Sequence, residues 1–203
     1  MKKELLILLL VCLTGFSTDG RERSFRRISW GAEWSWSAVF YEGYHYNYFA
    51  PEGYRVDEKE DCFRYVTNGE AFIHAGFNIN EFWNISIYAG FSGLSDLHHA
   101  VPVSIRLTRY FKPDEQDDRW FGFFDFGSGI CLKSPVQEIL TGKIGGGYRF
   151  SLSRSTKIDF IAALHTRYTH PEIWYCGEEI RHERVNRNDA YISSISLGLA
   201  LTF

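Results

Sequence analysis

Nowhere in the 203 residues does an apolar run reach the roughly 20 residues that a membrane-crossing helix requires, and the longest, Leu5 to Leu13, falls well short. A helical membrane protein is thereby excluded. Positive charge is not in excess either: 22 Lys and Arg stand against 25 Asp and Glu, for a net charge of -3 and a pI near 6.2. A nucleic-acid partner has no electrostatic footprint to bind. The 3.6-residue apolar period of amphipathic helices is almost missing. What is present is a 45% hydrophobic and 17% aromatic chain, enough to build one domain and too apolar for a disordered one.

The first residues differ from the rest. Lys2 and Lys3 precede the apolar run, and Gly15 and Ser17 stand where a signal peptidase needs small residues. Residues 1–17 are therefore expected to be a signal peptide and residues 18–203 the mature domain. Cys12 follows Val11 where a lipid-bearing cysteine would follow a small residue, so it belongs to the discarded signal. Three cysteines remain, Cys62, Cys131 and Cys176, an odd number in a compartment where disulfides form.

The mature chain alternates every second residue in eight segments. In the last, Tyr191, Ile195, Leu197, Leu199, Leu201 and Phe203 share one face, while Ser194, Ser196, Gly198, Ala200 and Thr202 share the other. Ile158, Phe160, Ala162 and Leu164 similarly oppose Lys157, Asp159, His165 and Arg167, and Ile144, Tyr148 and Phe150 oppose Lys143, Gly145, Gly147 and Arg149. The pattern recurs in 120–132, 101–108 and 83–92, more weakly in 71–78, and in a first segment where Trp30, Trp34, Trp36 and Phe40 oppose Glu33, Ser35 and Ser37. Breaks near Asn80, Asp114 to Asp118 and Ser153 to Thr156 are short. Those at Ala50 to Asn68, Ser92 to His99, Lys133 to Ile139 and Pro171 to Asn188 are longer. This rhythm predicts an all-β, eight-stranded antiparallel up-and-down transmembrane β-barrel with short turns on the periplasmic side and long loops at the cell surface.

A soluble lipocalin-like barrel binding a small hydrophobic ligand would also alternate, with its apolar face inside. The second face of the closing segment, all Ser, Gly, Ala and Thr, suits a narrow crowded lumen better than a water-exposed surface. The apolar face then has to meet lipid. Trp30, Trp83, Trp120, Phe150 and Phe203 fall at the periplasmic strand ends, and Tyr44, Tyr46, Tyr48 and Tyr168 near the outer ends, as aromatic belts would.

The C-terminal strand, with Ile195, Leu197, Leu199, Leu201 and the final Phe203 at alternate positions, resembles the closing strand of the small outer-membrane barrels of the OmpX and OmpA-barrel type, including their Bacteroidetes relatives. The resemblance covers the pattern from about Trp30 to Phe203. It implies Gram-negative outer-membrane localisation, with Leu199, Leu201 and Phe203 read by the barrel-assembly machinery. It implies no activity, because barrels of unrelated function share that signal.

The inward-facing polar set is expected to comprise Glu33, Arg106, Asp125, Lys143, Arg149, Lys157, Asp159, His165 and Arg167, a network that pairs buried charges and plugs the lumen. A catalytic role, such as that of a lipid A-modifying membrane enzyme, would need a nucleophile beside a histidine. Arg167, the nearest patterned partner of His165, is not one, and Ser193, Ser194 and Ser196 on the next strand lack a second partner. Metal binding could draw on His98 and His99, or on His170, Cys176, Glu178 and His182, but neither set has a metal-site spacing. No cofactor is expected. Closure places the first and last long loops side by side, so a Cys62 to Cys176 disulfide is expected with Cys131 free and facing inward, although each of the three pairings is open from sequence. Continued alternation would put Glu42 on the lipid face, so either the strand has left the membrane there or its register slips. The function that follows is a non-enzymatic outer-membrane barrel whose loops contact an external partner or support envelope integrity.

Overall fold

Alternating segments of Val, Ile, Phe, Tyr and Trp form strands because branched and aromatic side chains fit a pleated surface. A computed structural model describes residues 26–203 apart from 64, 96, 97, 115, 116, 133–137 and 154, and only the backbone of 94, 95, 98, 99 and 131. The expected signal peptide, the side chains of His98 and His99 and the orientation of Cys131 lie outside the described residues. The strands are β1 (Ile28–Phe49), β2 (Arg55–Cys62), β3 (Val66–Asn78), β4 (Trp83–Ser95), β5 (His98–Tyr110), β6 (Arg119–Cys131), β7 (Glu138–Ser151) and β8 (Lys157–Thr169). The short pair β9 (Trp174–Tyr175) and β10 (Glu178–Glu179) and a 3-10 turn, His182–Arg184, precede β11 (Val185–Thr202).

Eight of these strands close a barrel. Each of β3 to β8 pairs antiparallel with its sequence neighbour, β11 pairs with β8, and β1 pairs with both β3 and β11. The seam runs from Gly31 opposite Thr202 to Tyr48 opposite Val185, and Trp30 and Phe203 exchange backbone hydrogen bonds of 3.1 and 2.8 Å at its end. Closure pairs the backbone groups that an open edge would leave bare in hydrocarbon.

The turns at this end are held by local side chains. Asn80 Oδ1 accepts from the amides of Phe82 and Trp83, both at 2.9 Å, and Ser153 Oγ accepts from those of Ser155 and Thr156 at 3.2 and 3.0 Å. The opposite, loop end departs from expectation in three places. The stretch expected as a loop from Ala50 to Asn68 contains β2, which lies back along the upper half of β1 from Phe49 to Glu42. β4 runs to Ser95 and β5 starts at His98, so strand takes up most of the stretch expected as a loop from Ser92 to His99. The last loop holds the β9–β10 hairpin, and β11 begins before the expected boundary at Asn188.

A bulge decides the phase of β1. Val39 pairs with Ser194 and Tyr41 with Ser193, which leaves Phe40 without a partner on β11. Phe40 points outward, and the phase shifts by one beyond it, so Glu42 is buried at 2% exposure rather than facing lipid. Tyr44, Tyr46 and Tyr48 follow Glu42 onto the inner face and do not form an outer belt. The belt at the turn end does form: Trp30 stacks on Phe203 at 4.7 Å, and Trp120, Tyr148, Phe150 and Phe160 make a chain of ring contacts.

Candidate functional site: a filled lumen and a raised outer sheet

On the barrel strands most large apolar side chains point away from the axis, Ile73 at 69% exposure, Ile144 at 60% and Leu197 at 56% among them. Most of the charged ones point inward. This is the inverse of a soluble ligand-binding barrel, and the lipocalin-like alternative fails on it.

Eight of the nine expected polar residues are buried in the lumen, where they fall into three tiers. In the middle tier, Glu33 Oε2 accepts from Arg106 Nη1 at 2.6 Å, and Asp125 accepts from the same guanidinium at 3.0 Å. The Arg106 plane lies 3.8 Å from the Tyr88 ring centre and 4.2 Å from that of Phe123, so apolar rings clamp the charge. In the tier toward the turns, Arg149 donates twice to Asp159, at 2.6 Å each, and Arg119 covers Tyr110 while donating to the carbonyls of Glu81 and Lys112. Lys157 stands apart, half-buried at the turn-end rim opposite Thr202 and Ser151.

The tier toward the loops centres on Glu70, a residue absent from the expected set. Its carboxylate takes Lys143 Nζ at 3.0 Å, the guanidinium of Arg167, and the hydroxyls of Ser35 and Ser92 at 3.0 and 3.1 Å. Lys143 also lies 3.9 Å from Glu33, which joins this tier to the middle one. Phe72 and His74, two and four residues on, share its inward phase, so extending the weak segment at 71–78 backward by one step would have found it.

Thr141, His165 and Glu70 line up as hydroxyl, imidazole and carboxylate. Thr141 Oγ1 is 2.5 Å from His165 Nε2, and His165 Nδ1 is 3.3 Å from Glu70. Arg167 Nη2 also faces Nδ1, at 3.1 Å, and an arginine only donates. Nδ1 thus faces both a carboxylate, which only accepts, and a guanidinium, which only donates. Ser194 and Ser196 are buried, and Ser194 stands beside His165 in the strand register.

Aromatic and aliphatic side chains fill what remains. Tyr110, Phe121, Phe123, Ile161, Ala163 and Ala200 pack together inside the wall, and a cavity of about 20 Å³ beside His74, Tyr88 and Arg149 is large enough for one water. Among the described residues no cluster of three or more His, Cys, Asp or Glu is placed to hold a metal.

Above the loop-end rim, β2 and the upper parts of β1 and β11 form a three-stranded sheet that rises from the barrel. One face of it is tied by Tyr41 to Asp61 at 2.8 Å, His45 to Asp57 at 3.0 Å, and Asn47 to both Asp57 and Arg55 at 2.9 and 3.0 Å. The β9–β10 hairpin packs on the other face, where Tyr48, Ala50, Ile173 and Ile180 make a small core and the Tyr54 and Tyr175 hydroxyls meet at 2.6 Å. Asp189, on β11, accepts from Tyr168 and Arg187; partial burial would raise its pKa, but these bonds hold its carboxyl below the usual range.

The expected Cys62 to Cys176 disulfide is not formed, and both thiols are free. The folded-back β2 brings Cys62 down to the level of Glu42, whereas Cys176 follows Tyr175, which packs on Tyr48. Six residues of β1 separate those levels, about 20 Å.

No family model matches the chain, and no curated protein matches it. Solved structures do. The outer membrane protein AlkL, determined in DMPC bilayers, matches with a TM-score of 0.51 at 11% identity over 94% of this chain and 97% of its own. The outer membrane protein OprG of Pseudomonas aeruginosa matches with a TM-score of 0.50 at 8% identity over 89% and 98%. This chain has the fold of the small eight-stranded outer-membrane β-barrels. Neisserial surface protein A is a further match, at 0.44 and 11% over 85% and 99%. Likeness at such identity establishes the barrel and leaves its activity open.

Proposed function

We propose that this chain is a Gram-negative outer-membrane protein, exported by its N-terminal signal, that presents a rigid surface platform to an external partner and catalyses no reaction. The observation that carries this reading is the raised sheet of β2, β1 and β11. It is braced by the β9–β10 hairpin with a core of its own, and binding residues sit disproportionately on loops held by such a rigid scaffold. The filled lumen supports a structural interior.

Membrane fractionation with a gel comparison of heated and unheated samples tests the first half. The expected result is detergent-dependent, heat-modifiable migration in the outer-membrane fraction. A soluble, heat-insensitive protein would overturn it. Planar-bilayer recording should find negligible conductance, and lipid A from a deletion strain should keep its acylation pattern; a stable current or altered acylation would replace the platform by a pore or an enzyme.

A further inference from the structure

The inner face of the raised sheet carries an unusual row. Cross-strand partners there are Tyr46 with Glu58, Tyr44 with Glu60, and Glu42 with Cys62, so each of three successive rungs holds one carboxylate. Rungs on one face of a strand are about 6.7 Å apart. The Tyr44 and Tyr46 rings stack at 5.7 Å along the same row. Burial, with the charges of Glu60 and Glu42, pushes the Tyr46 phenol up to about 12.

The row lacks a cation. Arg55, Asp57, Lys59 and Asp61 alternate onto the opposite face, and neither Glu58 nor Glu60 has a salt-bridge partner among the described residues. Glu42 is 2% exposed; Tyr44 donates to its Oε2 at 3.0 Å, but its Oε1 has no hydrogen-bond partner. A buried carboxylate oxygen without a donor costs free energy until something positive reaches it. The carboxylates are too far apart to converge on one metal ion. Charges spaced along a line, with tyrosine faces between them, fit a flexible cation whose charges are also spaced along a line.

We propose that this face binds a linear aliphatic polyamine, with ammonium groups held by Glu58, Glu60 and Glu42 and methylenes laid on the rings of Tyr44 and Tyr46. The proposal rests on the reading that the loop end faces the cell exterior, and it gives the platform a ligand class.

The test is calorimetric titration of spermidine into the full mature chain refolded in detergent micelles, after heat-modifiable migration has established the closed barrel. Saturable one-site binding is expected. Replacing both exposed carboxylates, Glu58→Gln with Glu60→Gln, should weaken it by about tenfold or more, since hydrogen bonds to charged groups contribute roughly 1.5 to 3 kcal/mol each. Asp57→Asn with Asp61→Asn removes the same charge from the opposite face and should leave the affinity nearly unchanged. A flat titration, equal weakening in both double variants, or full displacement by magnesium at equal ionic strength would each overturn the site. Tighter binding of tri-lysine than of spermidine would overturn the free polyamine in favour of a protein-borne side chain. Failure to migrate as a barrel would count against the outer-membrane reading instead.

Discussion

Arg167 on β8 meets Glu70 on β3 across the lumen, although β11 and β1 lie between those strands in the wall. The contact braces the barrel from inside, and Lys143 completes it from β7. Glu70→Gln would leave two buried cations facing a neutral amide. The expected cost is about 3 to 5 kcal/mol, the range for breaking a buried ion pair from one side. Urea unfolding of the refolded barrel in micelles measures it, and a cost below about 1 kcal/mol would mean that water screens the lumen.

Glu42 should behave in the opposite way. Its carboxylate is buried on the rung shared with Ile192, with one oxygen unpartnered. Glu42→Gln keeps an acceptor for Tyr44 and removes the buried charge, so the same unfolding assay should show no loss, or a gain of about 1 kcal/mol. A large destabilisation would show that the carboxylate already has a cation in the free protein.

The contrast between these two glutamates marks how far the sequence could be read. Eight strands were legible because each barrel strand keeps apolar and polar residues on opposite faces, and most lumen charges followed from that phase. Glu70 lies one residue before Ala71, where the weak alternation of that segment begins. At Glu42 strict alternation left two readings, a strand already out of the membrane or a slipped register, and the slip is the one found: a single unpaired residue, Phe40, reverses the phase after it without leaving a mark in the composition. β2 was unreadable for another reason: Arg55 to Cys62 stands in water above the rim, so neither face had to be apolar. The misplaced disulfide followed from that missed strand.

The outward face makes a third prediction. Ile144 lies midway along β7 and points away from the axis. Ile144→Arg should destabilise the barrel by roughly 2 to 4 kcal/mol when it is folded into phosphatidylcholine vesicles, the cost of a cation near the bilayer midplane. A negligible cost would show that this face contacts water.

The thiols make a fourth. Cys176 is exposed at the β9–β10 turn, and Cys62 is only half-buried. On intact cells a membrane-impermeant maleimide should label Cys176 readily and Cys62 more slowly, and reduction beforehand should not increase the yield. Labelling only after lysis would invert the orientation of the barrel.

The seam between Gly31 and Thr202 joins nearly the first described residue to nearly the last. Glu33 sits on the early side of it and receives Arg106 from the middle of the chain, while Arg167 comes from a strand that only β11 links back to β1 on that side. Until β11 arrives, the interior is an open trough, and its charges have no dry enclosure to repel or attract across. The wall is complete only when β11 pairs with β1, so closure of this one seam is what removes the whole charged interior from water.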